Sequence, residues 1–305
     1  MTRDPEPRTF GTRQLRTRVE PAGAGRFRWT RTRLRGELGP AAPPGFPESE
    51  PHMVLGTRSG KDTAYLCRGD LSLAQLIWPP GRFNLPPSAA ATATAAAGQA
   101  LRRIADHPST ALPPPPALTR LEAWLSTGEG PGEAPRLHTL TRAHLGVHRL
   151  QTLGAWIRDL HERPPVLLHG EPSLGLIVLP REGVSPPVLL TGESLSSGPP
   201  EFDTGWLLGE LAEMADIAHR NAPHQDSVAL LSTMAQSLLD ARGPLETPLL
   251  ARVATLRRLT HLLDFAAHVN WNPGVESSLL QLASLIDEEG TSALDLLRVT
   301  QRRLP

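Results

Sequence analysis

The sequence predicts an α+β protein of two lobes, a small β-rich amino-terminal lobe followed by a larger helical one. Three observations predict this. The 305 residues amount to about two domains of ~150 residues. Short apolar runs with partial period-two alternation, separated by turn-forming residues, mark the first part of the chain. From residue 147 onward, apolar stripes at helical spacing dominate.

The division that follows is a basic flexible arm over residues 1–22, a β-rich N-lobe with one helix over 23–130, and a helical C-lobe with a small central hairpin region over 131–305. Ten arginines fall within the first 35 residues against Asp4, Glu6 and Glu20. Phe27, Trp29 and Leu34 alternate with them, which reads as a strand with one arginine-rich face. Such a face either meets an acidic partner or phosphates, or is simply solvated. Next, residues 53–55 and 64–67 flank a polar turn over 57–62, a hairpin signal. Residues 88–106 are alanine-rich and predict a helix, capped at Ser88 and stopped by Asp106, His107 and Pro108. Residues 118–125 read as a further strand, and the run STGEGPGEAP (126–135) as the boundary between lobes.

The second half begins with a helix over 147–161, whose Leu150, Leu153, Trp156, Ile157 and Leu160 share one face. Three short apolar runs follow, at 166–168, 177–179 and 188–190, as in a small sheet that presents a site at its turns. Four helices are then predicted at 203–220, 225–242, 246–269 and 275–303, the last interrupted near Gly290. Asp203 and Gly243 supply start and stop signals.

Composition narrows the function. Lysine plus arginine (31) balance aspartate plus glutamate (31), which argues against a dedicated nucleic-acid or membrane-surface protein. A single cysteine, Cys67, excludes an internal disulfide framework and a four-cysteine metal site. No apolar run approaches the ~18 residues of a membrane span, and no apolar stretch backs the amino-terminal arginines as in a secretory signal, so the expected location is the cytoplasm. Lys61 is the only lysine, so lysine-dependent chemistry would have to use it. The arginine, alanine and proline content matches the coding habit of a GC-rich bacterial genome.

One constellation carries more. VLLHGEPSLGLIVLP (166–180) and VLLTGESLSSGPPEFDTGWLLGEL (188–211) place Leu160-His161 at a helix end and His169-Gly170 at a loop. Gly198, Pro200, Phe202 and Asp203 lead into a helix, with Asp203 twelve residues after position 191. These segments resemble the carboxy-terminal lobe of aminoglycoside phosphotransferases and choline-kinase-like enzymes, a protein-kinase-like fold. The resemblance covers 147–215 well and the rest by layout.

It implies roles for individual residues. Glu171 stands where the loop aspartate would orient or deprotonate the acceptor hydroxyl, and His169 braces that loop. Leu176 and Thr191 occupy the two positions that would hold magnesium, and Glu193, two residues on, is a possible substitute ligand. Asp203 gives structural support. Arg68, at the end of the 64–67 run, takes the place of the phosphate-pairing lysine. Leucine can coordinate nothing, and threonine offers no charge where magnesium is normally held by carboxylates and substrate phosphates. Phosphoryl transfer depends almost wholly on positioning and metal electrostatics.

The expectation is therefore a degenerate member, a pseudokinase acting as a non-catalytic binding subunit for a peptide or protein partner. In bacteria, members of this family occur as subunits of peptide-modifying complexes. No cofactor is then expected. The alternative is an active phosphotransferase on a small-molecule or peptide Ser/Thr hydroxyl, using ATP and magnesium with Glu171 as base. A nucleic-acid role rests only on the arginine arm. His144 and His148 have i, i+4 spacing but no third ligand near in sequence, so a surface pair is the simpler reading. His261 and His268 read as core-edge residues, Cys67 as a buried inert thiol, and Trp206, Leu207, Leu208 and Leu211 as core.

Overall fold

A computed structural model describes residues 6–36, 38–78, 85–108, 112–181, 185–220, 225–271 and 273–299. It shows a sheet-rich amino-terminal part and a helical carboxy-terminal part. The first sheet is an antiparallel meander of β1 (Arg8–Gly11), β2 (Leu15–Pro21) and β3 (Phe27–Arg33), to which β7 (Asp62–Cys67) and β6 (Thr57–Ser59) add in the order β1-β2-β3-β7-β6. Val19, Phe27, Trp29 and Tyr65 point to the buried face, while Arg16, Arg18 and Arg28 alternate onto the exposed one. The pleat makes this alternation obligatory.

The expected arm is thus largely sheet. Arg8–Gly11 and Leu15–Pro21 are strands, because their period-two pattern lets Val19 pair opposite Trp29, and the first five residues lie outside the described ones. The hairpin also differs from expectation. The strand opposite β7 is β6, across a turn at Gly60 and Lys61, and not residues 53–55.

Those residues, β5 (Met53–Leu55), lie in a second, mixed sheet. Its order is β4 (Ser49–Glu50), β5, β11 (Val188–Thr191), β10 (Ile177–Leu179) and β8 (Leu71–Ser72). β5 runs parallel to β11 with Leu55 opposite Thr191, and β8 pairs with β10. Backbone ladders therefore tie the amino-terminal segments to the carboxy-terminal ones. The three apolar runs of the C-lobe do not form one sheet: β9 (Val166–Leu168) pairs with β12 (Ser196–Gly198) instead.

Helices cover the rest. A short α1 (Leu73–Ile77) with a capping box at Ser72 leads to α2 (Pro87–Asp106). Pro87 opens α2, with Pro86 rather than Ser88 at the cap. A proline at the first helical position loses no hydrogen bond. The alanines of α2 let it approach α6 (Gln225–Arg242) closely. A Cβ on Gly98 would lie 2.5 Å from the Leu238 carbonyl oxygen, so only glycine fits there. α2 thus belongs to the helical layer. Residues 118–125, read as a strand, lie in α3 (Pro116–Thr127), where Leu118, Leu121 and Trp124 form a buried helical stripe. The boundary at 126–135 is accordingly a turn between two helices of one layer.

α4 (Ala134–Glu162) contains Gly146 at φ +72° and kinks there. α5 (Glu201–Arg220), α6, α7 (Thr247–His268) and α8 (Val275–Asp287) follow, close to the predicted helices. The last predicted helix ends earlier. Gly290 at φ +79° opens a 3-10 segment, Thr291–Leu297, and residues 300–303 lie outside the described ones. Trp206, Leu207, Leu208 and Leu211 are all buried.

Candidate functional site

The loop after β9 is built around Asp203. This side chain is 3 % exposed, and its two oxygens accept the backbone N–H groups of His169 (2.7 Å) and Gly170 (2.9 Å). Burial pushes its carboxyl up, against the pull of His169 and these two bonds. Gly170 has φ +92°, and a Cβ there would sit 1.9 Å from the Ser194 carbonyl oxygen. No other residue fits, which explains the His-Gly pair. The His169 ring is fixed by a 2.9 Å contact from Nε2 to the Leu190 carbonyl on β11.

Glu171 follows in the same loop. Its Oε1 accepts from Arg120 Nη1 of α3 at 3.0 Å, and its Oε2 from Ser194 Oγ at 2.9 Å. Arg120 also reaches Asp264 of α7 at 3.2 Å. Burial alone would raise the Glu171 carboxyl, but the charges of Arg120 and Arg33 and these hydrogen bonds hold it below its ordinary value. A lowered pKa in the fold contributes stability above the unfolded carboxyl pKa of about 4, and loses it as pH falls through the folded value. Glu171→Gln should therefore be less stable than the parent at pH 7, with the gap closing as pH falls below the ordinary carboxylate range and through the lowered folded value. A gap that stays constant in denaturant titrations across that range would show that ionisation of Glu171 contributes nothing.

Glu193 is 6 % exposed and faces the first sheet. Its Oε1 accepts from Arg31 Nε at 2.5 Å and from the Tyr65 hydroxyl at 2.8 Å. Burial and the neighbouring Glu193 push the Tyr65 hydroxyl well up. The backbone around it is clamped as well: Gly39 N–H donates to the Glu193 carbonyl (2.9 Å), and Arg58 donates to the carbonyls of Gly192 and Gly39.

Leu176 is buried beside this cleft, in a short 3-10 turn Leu174–Leu176. Thr191 is fully buried and its hydroxyl turns to the Leu189 carbonyl of its own strand at 3.3 Å. A magnesium ion does not fit this set: of the two positions that the resemblance would assign to its ligands, one is apolar and one turns its hydroxyl to its own strand, and Glu193 turns one oxygen to Arg31 and Tyr65. Among the described residues, no group of three His, Cys, Asp or Glu side chains could hold a metal ion.

The structure places Arg68 elsewhere. It is exposed and lines a different groove, with Arg26, Pro51 and Leu66. The cleft arginines on the first sheet are instead Arg31 and Arg33 of β3, and α3 and α7 add Arg120 and Arg257. Sequence reasoning missed these four. For β3, the signal was Phe27 and Trp29 alternating with arginines, since Arg31 and Arg33 continue the register of Trp29 onto the buried face. For Arg120 and Arg257 no local signal existed.

The remaining candidates are plain. His261 pairs with Glu213 at 2.7 Å, His268 is 8 % exposed, and burial pushes the Cys67 thiol up to about 11.

The cleft between the first sheet and the helices encloses about 170 Å³. Ligand pockets for drug-sized molecules usually hold ~300–1,000 Å³, so this one suits a single small group. Trp29, 0 % exposed on the buried face of the first sheet, donates its indole N–H to the Gly69 carbonyl at 2.8 Å.

No family profile matches the sequence, and no curated protein does. Solved structures do. The chain is similar to macrolide 2'-phosphotransferase MphH from Brachybacterium faecium, at 15 % identity over 97 % of this chain and 93 % of that one, TM-score 0.41. It is similar to a Plasmodium vivax ethanolamine kinase at 9 % identity, over 96 % and 81 %, TM-score 0.48. A glucosamine kinase determined with glucosamine, ADP and inorganic phosphate matches at 14 %, over 95 % and 76 %, TM-score 0.45.

Proposed function

We propose that this chain is a phosphotransferase-like protein that does not transfer phosphate and serves as a binding subunit for a peptide or protein partner. One observation carries the reading: the three carboxylates of the cleft all meet arginines, Glu193 with Arg31 and both Glu171 and Asp264 with Arg120. A base or a metal ligand needs a lone pair aimed at its target, and here Glu171 meets Arg120 and Ser194 with its two oxygens, while Glu193 turns one oxygen to Arg31 and Tyr65. The ladder between β5 and β11 supports it further, because widening the cleft would break that pairing and the bonds from Arg58.

The test is thermal unfolding with millimolar ATP, with and without magnesium. A ligand at 100 times its dissociation constant stabilises a fold by about 2.7 kcal/mol. No magnesium-dependent rise in Tm is expected. A clear rise would show that magnesium and ATP bind, and phosphate transfer to an acceptor hydroxyl, lost in Glu171→Gln, would then establish the active phosphotransferase.

A sharper form uses the double variant Leu176→Asn with Thr191→Asp. It restores both ligand types on paper, yet position 191 is fully buried, so the new carboxylate loses its hydration there. The variant should melt lower than the parent and still show no magnesium-dependent shift. Recovery of magnesium-dependent ATP binding would mean that the two substitutions alone silence an otherwise competent cleft.

A further inference from the structure

The outer side of the first sheet carries charge that the fold does not use. Arg16 and Arg28 stand on its exposed face, Arg26 immediately precedes β3, and Arg68 immediately follows β7. All four are exposed, and none makes an ion pair among the described residues. Glu20, the carboxylate opposite Arg28 in the ladder, is engaged by Arg18 at 2.8 Å. Arg26 and Arg68 also line one groove. Like charges brought together across a sheet repel, and no described carboxylate offsets this pair.

The groove itself is apolar. Val178 of β10 lies opposite Val188 of β11, and Val54 of β5 lies opposite Leu190, two residues further along β11. The pleat therefore sets the three valines on one face of the second sheet, where they line the groove together with Leu66 of β7. Leu66 is 44 % exposed and stands opposite Arg28 in the first sheet. The enclosed volume is about 380 Å³, against about 170 Å³ in the cleft. Sites of ~300–1,000 Å³ bury most of a small ligand's surface, so this groove takes a short segment of chain.

We propose that this groove docks a short acidic peptide segment of a partner protein. A bulky apolar side chain of that segment seats against Val54, Val178, Val188 and Leu66, and flanking Asp or Glu side chains meet Arg26 and Arg68. Guanidinium–carboxylate pairs supply direction, and an apolar anchor in a pocket supplies most of the binding energy at such surfaces. Arg16 and Arg28 extend the positive field along the sheet and raise the association rate. A nucleic-acid backbone would leave the valines without a partner, and the chain's balance of 31 basic against 31 acidic residues gives no general attraction for a polyanion. The inference rests on the reading of this chain as a binding subunit, and it places the partner outside the cleft.

The experiment probes an array of short synthetic peptides, combining Asp and Glu with Leu, Ile or Phe at varied spacings, with the full-length protein. Companion arrays replace the acids by Asn and Gln, or the apolar residues by Ser. The tightest peptide is remade with fluorescein and titrated by fluorescence anisotropy. Parent protein is compared with Leu66→Ser, with the double variant Arg26→Gln and Arg68→Gln, and with Arg142→Gln, an exposed change on α4. All substituted residues are exposed, and circular dichroism checks that each variant is folded. Fluorescein-labelled duplex DNA is titrated in parallel.

Saturable binding of the acidic, apolar peptide is expected in the parent and in Arg142→Gln. Affinity should fall by about tenfold or more in the double arginine variant and in Leu66→Ser, and the companion arrays should stay blank. An array whose acidic peptides bind no better than their neutral companions overturns the proposal, as does peptide binding unchanged in both groove variants. Tighter binding of duplex DNA than of the peptide, indifferent to Leu66→Ser, also overturns it and assigns the face to nucleic acid. Any of these failures leaves the magnesium and ATP test of the non-catalytic reading as it was. Phosphate transfer by the parent would overturn that reading while leaving the peptide titrations to decide the groove.

Discussion

Trp29→Ala is expected to lower the unfolding free energy by about 3–5 kcal/mol. The indole is fully buried, so truncation leaves a cavity as well as losing transfer free energy. It also strands the Gly69 carbonyl, which accepts the indole N–H at 2.8 Å. The surroundings have little freedom to collapse, because β8 beyond Gly69 is laddered to β10. Trp29→Phe keeps most of the packing and loses the hydrogen bond, so it should cost less, about 1–2 kcal/mol. Denaturant titrations of the two variants provide the check. Equal losses in both would assign the effect to the hydrogen bond alone, and no loss in either would remove Trp29 from the core.

Glu193→Ala is the second large effect, about 3–5 kcal/mol. The pair with Arg31 is well buried, with side chains 8 % and 14 % exposed. Removing the carboxylate leaves a guanidinium without its counter-charge and the Tyr65 hydroxyl without its acceptor. Breaking one side of a buried pair is costly, whereas replacing both sides with apolar groups of similar size is often neutral or stabilising. Glu193→Leu combined with Arg31→Met should therefore recover most of the loss, although Tyr65 keeps an unpaired hydroxyl. If Glu193→Ala proves as stable as the parent, its carboxylate is not structurally committed, and the case against its serving as a metal ligand weakens accordingly.

The two effects share an origin. Trp29 and Arg31 occupy one face of one strand, two residues apart, and each meets a part of the chain distant in sequence. The sheet side of the cleft is thus held by charge at Arg31, two residues after the buried Trp29.

Much of the fold is legible in the amino-acid sequence. The helices after residue 200 follow from stripes such as Trp206, Leu207, Leu208 and Leu211, because helical periodicity is a local property. The loop at His169 and Gly170 and its support by Asp203 are legible through a resemblance and twelve-residue spacing. Residues 118–125 mislead because Leu118, Leu121 and Trp124 at i, i+3 and i+6 fit a helix, while the run is short enough to pass for a strand. The segment at 53–55 misleads because hairpin reasoning assumes the nearest run as partner, and β5 pairs across 130 or more residues of chain with β11.

At the positions that the resemblance would give to the loop acid and the metal ligands, the residue types are fixed by the chain itself: glutamate at 171, leucine at 176, threonine at 191. Residue identity needs no geometry, and the chemistry that leucine cannot do is settled at once. Which cations meet the carboxylates of the cleft is a matter of three-dimensional packing. Arg31, Arg120 and Arg257 come from elements far apart in the chain, and an ion pair depends on distances of a few ångströms that no local pattern encodes.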